Sequence, residues 1–144
     1  MRSDRKKVVF DTSVLLSAAI YPHSGAAQAL GAAFLSCSLY RSASTSHELA
    51  TVLNRSKFDA YFKDADFTRG LFLDIYFERV QEVEITQESI DCKDPKDNQF
   101  LSLALTVGAD VIVSGDKRDL LSMHPYKGIS ILSYQDFADL LYQD

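Results

Sequence analysis

The feature that most constrains the fold is a series of short apolar runs separated by helical patterns. The runs KVVF (7–10), DVIVS (110–114) and ISIL (129–132) have the length and branched composition of buried parallel strands. SLYRSA (38–43) and RVQEVEI (79–85) are two further candidate strands, the second with the alternation of an edge strand. Because strands alternate with helices, the chain is predicted to form an α/β fold with a parallel sheet covered on both faces.

Apolar residues at helical spacing occupy the segments between these runs. The shared faces are Ala27, Leu30 and Phe34; Leu49, Val52 and Leu53; Phe67, Leu71 and Ile75; Phe100, Leu101, Ala104 and Leu105; Phe137, Leu140 and Leu141. The segment 55–77 is predicted to hold one or two helices beyond a plain alternation of strand and helix. Ser133 and Asp136 in SYQD form a weak capping box before the last helix.

Two other helix starts carry capping residues. Thr45 and Glu48 in TSHE fit a capping box, in which the two side chains satisfy backbone N–H groups reciprocally. In DPKD, Asp94 is a candidate cap, Pro95 suits the first helical position and Asp97 takes the third. These signals predict helices that begin near residues 45 and 95.

The length and composition favour a single domain over residues 1–144. The chain is 47% hydrophobic, enough to bury a core, and no linker or repeat divides it. Cys37 and Cys92 match no metal-ligand spacing and suggest no disulfide framework, so we expect a reducing, cytoplasmic setting. Asp11 interrupts the first apolar run, which argues against a signal peptide. No run approaches the roughly 20 apolar residues of a membrane span, and no membrane association is predicted.

The net charge limits how the chain can interact with nucleic acid. It is −5, with a calculated pI near 5.1. This excess of acids argues against a protein that holds nucleic acid through overall positive charge. The negative net charge is still compatible with an enzyme whose acids bind a divalent cation, because the cation and not the acids would then face the phosphate.

The acids fall at one predicted edge of the sheet. Asp11 ends the first strand, Glu48 opens the helix after the second, and Asp97 opens the crossover helix before the fourth. Asp116 follows the fourth strand in VSGDKRD, and Asp119 comes three residues later. Ligands of open parallel sheets bind at the carboxyl ends of the strands, where crossover helices begin. These acids from separate segments are therefore predicted to converge.

Converging carboxylates repel one another unless a cation neutralises them. Mg²⁺ prefers carboxylate and water oxygens, and such an ion can hold a phosphodiester and activate a water. The hypothesis is that Asp11 interrupts its apolar run because the end of the strand is the floor of a metal site. Thr12, Ser13 and Ser114 are candidates to hydrogen-bond the metal-binding carboxylates.

Basic residues flank the acids in the sequence. They are Lys93, Lys96, Lys117 and Arg118. They are candidates to contact substrate phosphates, although a solvated surface is the default interpretation of such residues.

Each acid also has an ordinary structural explanation. Glu48 fits a capping box, and Asp97 near a helix N-terminus would stabilise the helix dipole by roughly 0.3–1 kcal/mol. Asp116 lies in a Gly-Asp turn, and Asp119 fits a helix start. Asp11 has the weakest such explanation, although DTS can form a side-chain-capped turn. The metal hypothesis therefore depends on the shared location of the acids.

The pattern resembles the PIN-domain family, of the kind found as the toxin of prokaryotic toxin–antitoxin systems. The similar segments are VVFDTSVLLSA, STSHELATVLNRSKF, DPKDNQFLSLALTVGADVIVSGDKRDLL and ISILSYQDFADLL. The resemblance implies an α/β/α sandwich with about five parallel strands and a Mg²⁺- or Mn²⁺-dependent endoribonuclease. By position, the family's acidic quartet falls on Asp11, Glu48, Asp97 and Asp116. Single-stranded RNA as substrate, an antitoxin protein as partner and a homodimer are further expectations from the resemblance.

Two positions depart from the family pattern. A frequent fifth acid follows the fourth after one residue in many relatives, whereas Lys117 and Arg118 separate Asp116 from Asp119 here. The residue two after the first Asp is often Asn, and here it is Ser13. Neither departure removes one of the four charged ligands.

The predicted mechanism is hydrolysis in which a cation-activated water attacks the RNA phosphorus in line, with Glu48 as the preferred proton acceptor. One alternative is a haloacid-dehalogenase-like phosphatase with Asp11 as nucleophile and GDKRD as its late acidic motif. That chemistry needs a second Asp two positions after the first, where this chain has Ser13. The other alternative is a catalytically silent PIN-like module that binds RNA or a protein.

Overall fold

A five-stranded parallel sheet organises the computed structural model, which describes residues 5–63 and 68–143. The strands lie in the order β3-β2-β1-β4-β5, and every neighbouring pair is parallel. The strands are β1 (Lys7–Phe10), β2 (Ser38–Arg41), β3 (Gln81–Glu82), β4 (Val111–Val113) and β5 (Ser130–Leu132). The predicted parallel sheet of about five strands is confirmed.

Seven α-helices accompany the sheet within the described residues. They are α1 (Thr12–Ile20), α2 (Gly25–Ser36), α3 (Ala43–Leu53), α4 (Asp59–Phe62), α5 (Arg69–Arg79), α6 (Asn98–Val107) and α7 (Tyr134–Gln143). None of these helices has the length and apolar character needed to cross a membrane.

Alternate residues of the central strands feed two hydrophobic cores, as expected when both faces of a sheet are covered. Val8 and Phe10 of β1 pack into a core with α1, α2, α3, α5 and α7. Val9 points to the opposite face, where it packs with Ile112, Ile131 and the apolar side of α6. Helices, sheet and helix thus form the three predicted layers of an α/β/α sandwich.

Two strands are shorter than predicted. β2 ends at Arg41 because Ser42 leaves the strand to cap α3. β3 contains only two residues, although the Val83 N–H still donates to the Arg41 carbonyl at 2.9 Å. Farther along, the backbone N–H groups of residues 86 and 87 donate to the Thr106 hydroxyl instead of to β2. The chain therefore crosses toward α6 before a longer edge strand can form.

The helix α1 has no counterpart among the predicted helices. Its sequence TSVLLSAAI is apolar on nearly every side, and its buried residues include Val14, Leu15, Ala18 and Ala19. Without a polar face, the sequence offers no helical periodicity to detect. The helix forms because Asp11 caps it and because both sides of it contact other parts of the chain.

The predicted insertion between the second and third strands is present. A 3₁₀ turn at Ser56–Phe58 leads into the short helix α4, and the longer helix α5 follows. Leu71 and Ile75, predicted to share a face, both lie on α5. The third member of that predicted face, Phe67, lies outside the described residues.

The capping box predicted at Thr45 and Glu48 is wrong. Ser42, which is 2% exposed, is the N-cap of α3, and the Thr45 N–H donates to its hydroxyl. Thr45 completes the box by accepting from the Ser42 N–H at 2.9 Å. The helix starts three residues earlier than predicted because the buried serine directly follows β2. Glu48 therefore lies inside α3 and is free of a capping role.

The other predicted caps have the expected partners. Asp94 accepts from the Lys96 N–H at 3.1 Å and caps a 3₁₀ turn, Pro95–Asp97, that leads into α6. Ser133 accepts from the Asp136 N–H at 3.1 Å at the start of α7.

Candidate metal centre

The carboxyl ends of β1 and β4 lie side by side at the centre of the sheet. Phe10 pairs with Val113, and the Asp11 N–H continues the ladder by donating to the Val113 carbonyl at 2.9 Å. The residues that follow the two strands, Asp11 and Ser114, therefore lie next to each other although 103 positions separate them in the chain.

Asp11 is almost completely enclosed, with 3% of its surface exposed. Its Oδ1 accepts from the Val14 N–H at 3.0 Å, which caps α1, and from the Ser13 hydroxyl at 2.8 Å. Its Oδ2 accepts from the Ser114 hydroxyl at 2.5 Å. The side chain thus has a structural task as a helix cap and a fixed orientation at the end of the strand.

Burial raises the pKa of Asp11 above its usual range. Hydrogen bonds from Ser114, Val14, Ser13 and Gly115 oppose this effect, because they stabilise the charged form. The effect of burial is larger than that of these hydrogen bonds, so the net pKa of Asp11 is raised. A buried carboxylate in such surroundings gains from a cation nearby.

Asp116 and Asp119 lie in the turn that follows β4. The Asp116 N–H donates to the Ser114 hydroxyl at 2.9 Å, the same hydroxyl that donates to Asp11. Oδ1 of Asp116 accepts from the Asp119 N–H at 3.2 Å. The turn that was the ordinary explanation of Asp116 is therefore present, and it holds the carboxylate beside the end of β1.

Asp97 ends the 3₁₀ turn before α6, at the same edge of the sheet. Burial raises its pKa, together with a hydrogen bond to Asp116 and the negative charges of Asp116, Asp94 and Asp11, to about 8. Burial and neighbouring negative charges both disfavour the ionised form of a carboxyl group. The ionised form of Asp97 is thus unfavourable in the metal-free protein, as is that of Asp11.

One set of three acids in the described residues brings carboxylate oxygens within 4.8 Å of one another: Asp94, Asp97 and Asp119. The sequence assigned Asp94 only a capping or solvated role, and it caps the turn while also joining this group. Asp11, Glu48 and Asp116 stand outside the 4.8 Å set. The sequence could have identified Asp94 as a member of this group, because Asp94 and Asp97 are three residues apart across one tight turn.

Glu48 reaches the same region from the second turn of α3. Its Oε1 accepts from the Thr12 hydroxyl at 2.5 Å, and its Oε2 accepts from the Gln99 side-chain amide at 3.1 Å. Thr12 follows Asp11 in the chain, and Gln99 lies two residues after Asp97. Glu48 is thereby connected to the segments that carry two of the other acids.

Each hydroxyl residue singled out from the sequence donates to a candidate acid. Ser13 and Ser114 donate to Asp11, and Thr12 donates to Glu48. Two polar residues escaped the sequence analysis: Gln99, and Ser44, whose hydroxyl donates to Gln99 at 2.7 Å. No sequence signal identified them, because helical glutamine and serine are ordinary surface residues.

The basic residues near the acids are all exposed. They are Lys93, Lys96, Lys117 and Arg118. Within residues 5–63 and 68–143, no lysine or arginine forms an ion pair with Asp11, Glu48, Asp94, Asp97, Asp116 or Asp119. The negative charge at this edge of the sheet is therefore not neutralised by the described side chains.

The sequence of the chain matches a model of the PIN domain over residues 7–118. The chain belongs to the PIN-domain family. A comparison with curated proteins gives no match. Membership in this family sets aside the haloacid-dehalogenase-like phosphatase.

PIN domains are generally nucleases and typically bind a divalent metal. The matched range includes Asp11, Glu48, Asp97 and Asp116, and it ends one residue before Asp119. β5 and α7 lie beyond it, although the closing segment of the chain also resembles the family by its sequence. They complete one edge of the sheet and contribute Phe137 to the first core.

The residues of this PIN domain fit a divalent cation by the chemistry of their donors. The candidate side chains are carboxylates. Mg²⁺ and Mn²⁺ prefer such oxygen ligands, whereas softer metals prefer nitrogen and sulfur. Two of them, Asp97 and Asp119, approach each other and Asp94 within 4.8 Å, and burial and nearby acids disfavour the ionised form of Asp97. A divalent cation would relieve this repulsion.

Gly115 allows the turn after β4 to approach α1 closely. A Cβ at this position would lie 2.9 Å from the Ser13 hydroxyl oxygen. We expect Gly115→Ala to displace that hydroxyl from Asp11 and to lower metal-dependent nuclease activity about tenfold, the lower end for residues that orient metal ligands. The measurements are initial cleavage rates and the melting temperature, which should change little.

Gly31→Ala on α2 is the matched control, since a Cβ there meets nothing within 4 Å. It should leave activity unchanged and raise stability by up to about 1 kcal/mol. Equal activity of the two variants would contradict the role given to the Ser13–Asp11 hydrogen bond.

Proposed function

We propose that residues 1–144 form one PIN domain that hydrolyses phosphodiester bonds in single-stranded RNA as a divalent-metal-dependent endoribonuclease. The observation that carries the proposal is the gathering of acids from separate segments, in which carboxylate oxygens of Asp94, Asp97 and Asp119 lie within 4.8 Å of one another. The raised pKa of Asp97, which is due first to burial and then to Asp116, Asp94 and Asp11, agrees with it. Carboxyl groups gathered in this way destabilise the protein unless a cation binds them. Membership in a nuclease family supports the same conclusion.

We assign the cation to the four acids of the quartet, Asp11, Glu48, Asp97 and Asp116, with Asp119 as an additional acid because one of its oxygens lies within 4.8 Å of Asp97. A bound Mg²⁺ or Mn²⁺ supplies positive charge that makes a water more acidic and stabilises negative charge on the phosphate. Asp11 contributes a carboxylate whose position is fixed by three hydrogen bonds. Such fixed ligands lower the cost of organising the site before substrate arrives.

Glu48 is the proposed acceptor of the proton from the attacking water. Its carboxylate is half-buried and oriented by one donor on each oxygen. In the reaction, the water oxygen forms a bond to phosphorus and the bond from phosphorus to the leaving oxygen breaks. The proton accepted from water balances the proton that the leaving oxygen receives. General base catalysis of this kind contributes about 10²–10⁴-fold to a rate.

RNA is the proposed substrate, and its backbone would contact the exposed cations beside the acids. Lys93 and Lys96 border Asp94 and Asp97, while Lys117 and Arg118 lie between Asp116 and Asp119. This arrangement puts flexible positive charges around a negative centre. Contacts from lysine and arginine to phosphate position a strand without reading its sequence.

The proposed biological role is that of the toxin in a toxin–antitoxin pair. The support is the resemblance of the quoted segments to toxins of the PIN family, together with the family match. In this role an antitoxin protein would cover the acidic edge of the sheet, and the active form would be a homodimer in the cytoplasm.

Purified protein is expected to cleave single-stranded RNA when Mg²⁺ or Mn²⁺ is added. A fluorophore–quencher oligoribonucleotide of mixed sequence is incubated with protein that has first been stripped with EDTA. Cleavage should appear with either cation, disappear again with excess EDTA, and be absent on the matched DNA oligonucleotide.

Asp11→Asn, purified in parallel, controls for a contaminating ribonuclease. Activity that survives in this variant or in EDTA would contradict the proposal. If the wild-type protein cleaves no RNA with either cation yet retards the oligonucleotide in a gel, the chain is a silent RNA-binding module.

A further inference from the structure

The Gln99 side chain is held by hydrogen bonds on both of its polar atoms. Its Nε2 donates to Glu48 Oε2 at 3.1 Å and to the Lys96 carbonyl at 2.9 Å. Its Oε1 accepts from the Ser44 hydroxyl at 2.7 Å. Both N–H donors of the amide and one lone pair of its oxygen are therefore used.

This set of partners allows one orientation of the amide. A carboxylate and a carbonyl can only accept, so the atom facing them must be the nitrogen. The Ser44 hydroxyl then meets the oxygen and donates to it. A flipped amide would place its oxygen against two acceptors and lose both bonds. The Gln99 amide is thus oriented so that its Nε2 donates to Oε2 of Glu48.

Two donors from opposite sides restrict the Glu48 side chain. The Thr12 hydroxyl from the start of α1 binds one carboxylate oxygen, and the Gln99 amide from the start of α6 binds the other. Fixing the rotamers of a free glutamate costs side-chain entropy. Here the fold has met that cost before any ligand binds. Glu48 is consequently presented in one position toward the acids of the sheet edge.

We propose that Gln99 is a positioning residue for the reaction, and that the hydrogen-bonded chain Ser44–Gln99–Glu48 sets the orientation of the Glu48 carboxylate. The inference rests on the proposed function, because it assigns Glu48 to the cation and the attacking water. Gln99 acts through Glu48 and does not itself contact the phosphate. Partners of this kind typically change metal affinity or activity by 10–100-fold when removed.

The surroundings of Gln99 separate this role from a role in folding. Asp94 caps the 3₁₀ turn that precedes α6, and the N-cap residue of α6 itself is Asp97, so Gln99 caps neither element. The apolar residues that anchor the helix are Phe100 and Leu101, which are 2% and 0% exposed. Gln99 itself is half-buried and does not belong to either hydrophobic core. Replacing its amide should therefore alter Glu48 more than it alters the stability of the helix.

The test replaces Gln99 by methionine, which has a similar length and no hydrogen-bonding amide. Mn²⁺ binding is measured by electron paramagnetic resonance without RNA, and kcat and KM are measured on the single-stranded oligoribonucleotide. We expect the Kd for Mn²⁺ to rise about tenfold and kcat to fall about 10–100-fold, the range for such partners. KM for RNA and the melting temperature should stay close to those of the wild-type protein.

Gln28→Met is the matched control. Gln28 also lies in the first turns of a helix, and its amide donates to a backbone carbonyl, that of His23, at 3.4 Å. It has no carboxylate partner among the described residues. This variant should match the wild-type protein in Mn²⁺ binding, kcat and melting temperature.

A double-variant cycle adds a criterion that a structural role would not meet. Thr12→Val removes the other donor to Glu48, so its effect on kcat should not multiply with that of Gln99→Met, because both act through one carboxylate. Ser44→Ala removes only the outer link, and we expect a loss of about two- to threefold in kcat, smaller than for Gln99.

The results separate failure of the inference from failure of the proposed function. If the wild-type protein cleaves RNA and Gln99→Met matches it in kcat and in Mn²⁺ affinity, the inference is overturned and the function stands. A melting temperature that falls in step with activity would also overturn it, in favour of a structural role. If the wild-type protein binds Mn²⁺ but cleaves no RNA, the proposed function fails, and the Mn²⁺ affinity of Gln99→Met still decides whether Gln99 orients Glu48.

Discussion

The Asp97→Asn variant is expected to cleave RNA about 10²–10⁴-fold more slowly than the wild-type protein. The carboxylate of Asp97 lies among Asp116, Asp94 and Asp119, so its charge is central to holding a cation. An amide of the same shape keeps the fold but supplies no charge, and a cation stabilises the reacting phosphate by several kcal/mol. The measurement is kcat at saturating Mn²⁺, with growth after induced expression as a second readout: the wild-type protein should arrest growth and the variant should not.

Asp136→Asn is the matched control for this experiment. Asp136 also lies in the first turn of a helix that follows a strand of the same sheet, but its side chain is exposed and belongs to no carboxylate cluster in the described residues. It should retain full activity. Retention of more than a tenth of the activity in Asp97→Asn, or growth arrest by that variant, would count against the assignment of Asp97.

The metal-free protein is expected to lose stability between about pH 4 and pH 8, to an extent that depends on Asp97. The pKa of this group rises from 3.8 to about 8 on folding, so the folded state holds its proton more tightly than the unfolded state. Its stabilising contribution is complete below pH 3.8 and is lost as the pH rises through 8. Melting temperatures in EDTA, compared between the wild-type protein and Asp97→Asn across this range, isolate the effect from other titrating groups.

A divalent cation should reverse the loss at the alkaline end. At a hundredfold excess over its Kd, a ligand stabilises the folded state by about 2.7 kcal/mol, which corresponds to roughly 5–15 °C in a chain of this size. The variant should show a higher melting temperature than the wild-type protein in EDTA at pH 8, and a smaller rise with Mg²⁺. Parallel pH profiles for the two proteins, or equal stabilisation by Mg²⁺, would contradict the linkage between Asp97 and the cation.

The sheet was predictable because most of its strands can be recognised from their local amino-acid composition. β1 and β4 are central runs dominated by buried branched apolar residues, and β5 at the edge has the buried Ile131 between two half-buried residues. Each of the three appears within one residue of its predicted bounds. β3 and α1 were less accessible for opposite reasons. β3 is an exposed pair of residues whose extent depends on where the following segment turns. α1 is so thoroughly enclosed that its sequence lacks a polar face.

The region of the candidate site followed from topology, whereas its hydrogen bonds did not. Asp11, Asp97 and Asp116 each follow a recognisable strand or precede a recognisable helix, and parallel strands bring such positions to one edge. The start of α3 illustrates the limit. Two overlapping sequences, SAST and STSHE, both offer capping residues, and the tertiary fold selects Ser42 because that serine is buried after β2. Contacts of Gln99 with Ser44 and Glu48 join three separate turns of helix, which no local pattern encodes.

The pairing of β1 with β4 has a consequence for the nascent chain during translation. A ribosome adds about 5–20 residues per second, so β1 emerges several seconds before its central neighbour β4. Until residue 116 has left the exit tunnel, the nascent chain presents Asp11 without the partners that the completed sheet gives it. If the proposed ribonuclease activity is present, the nascent chain would therefore lack the complete acidic site until β4 and the turn after it have been synthesised.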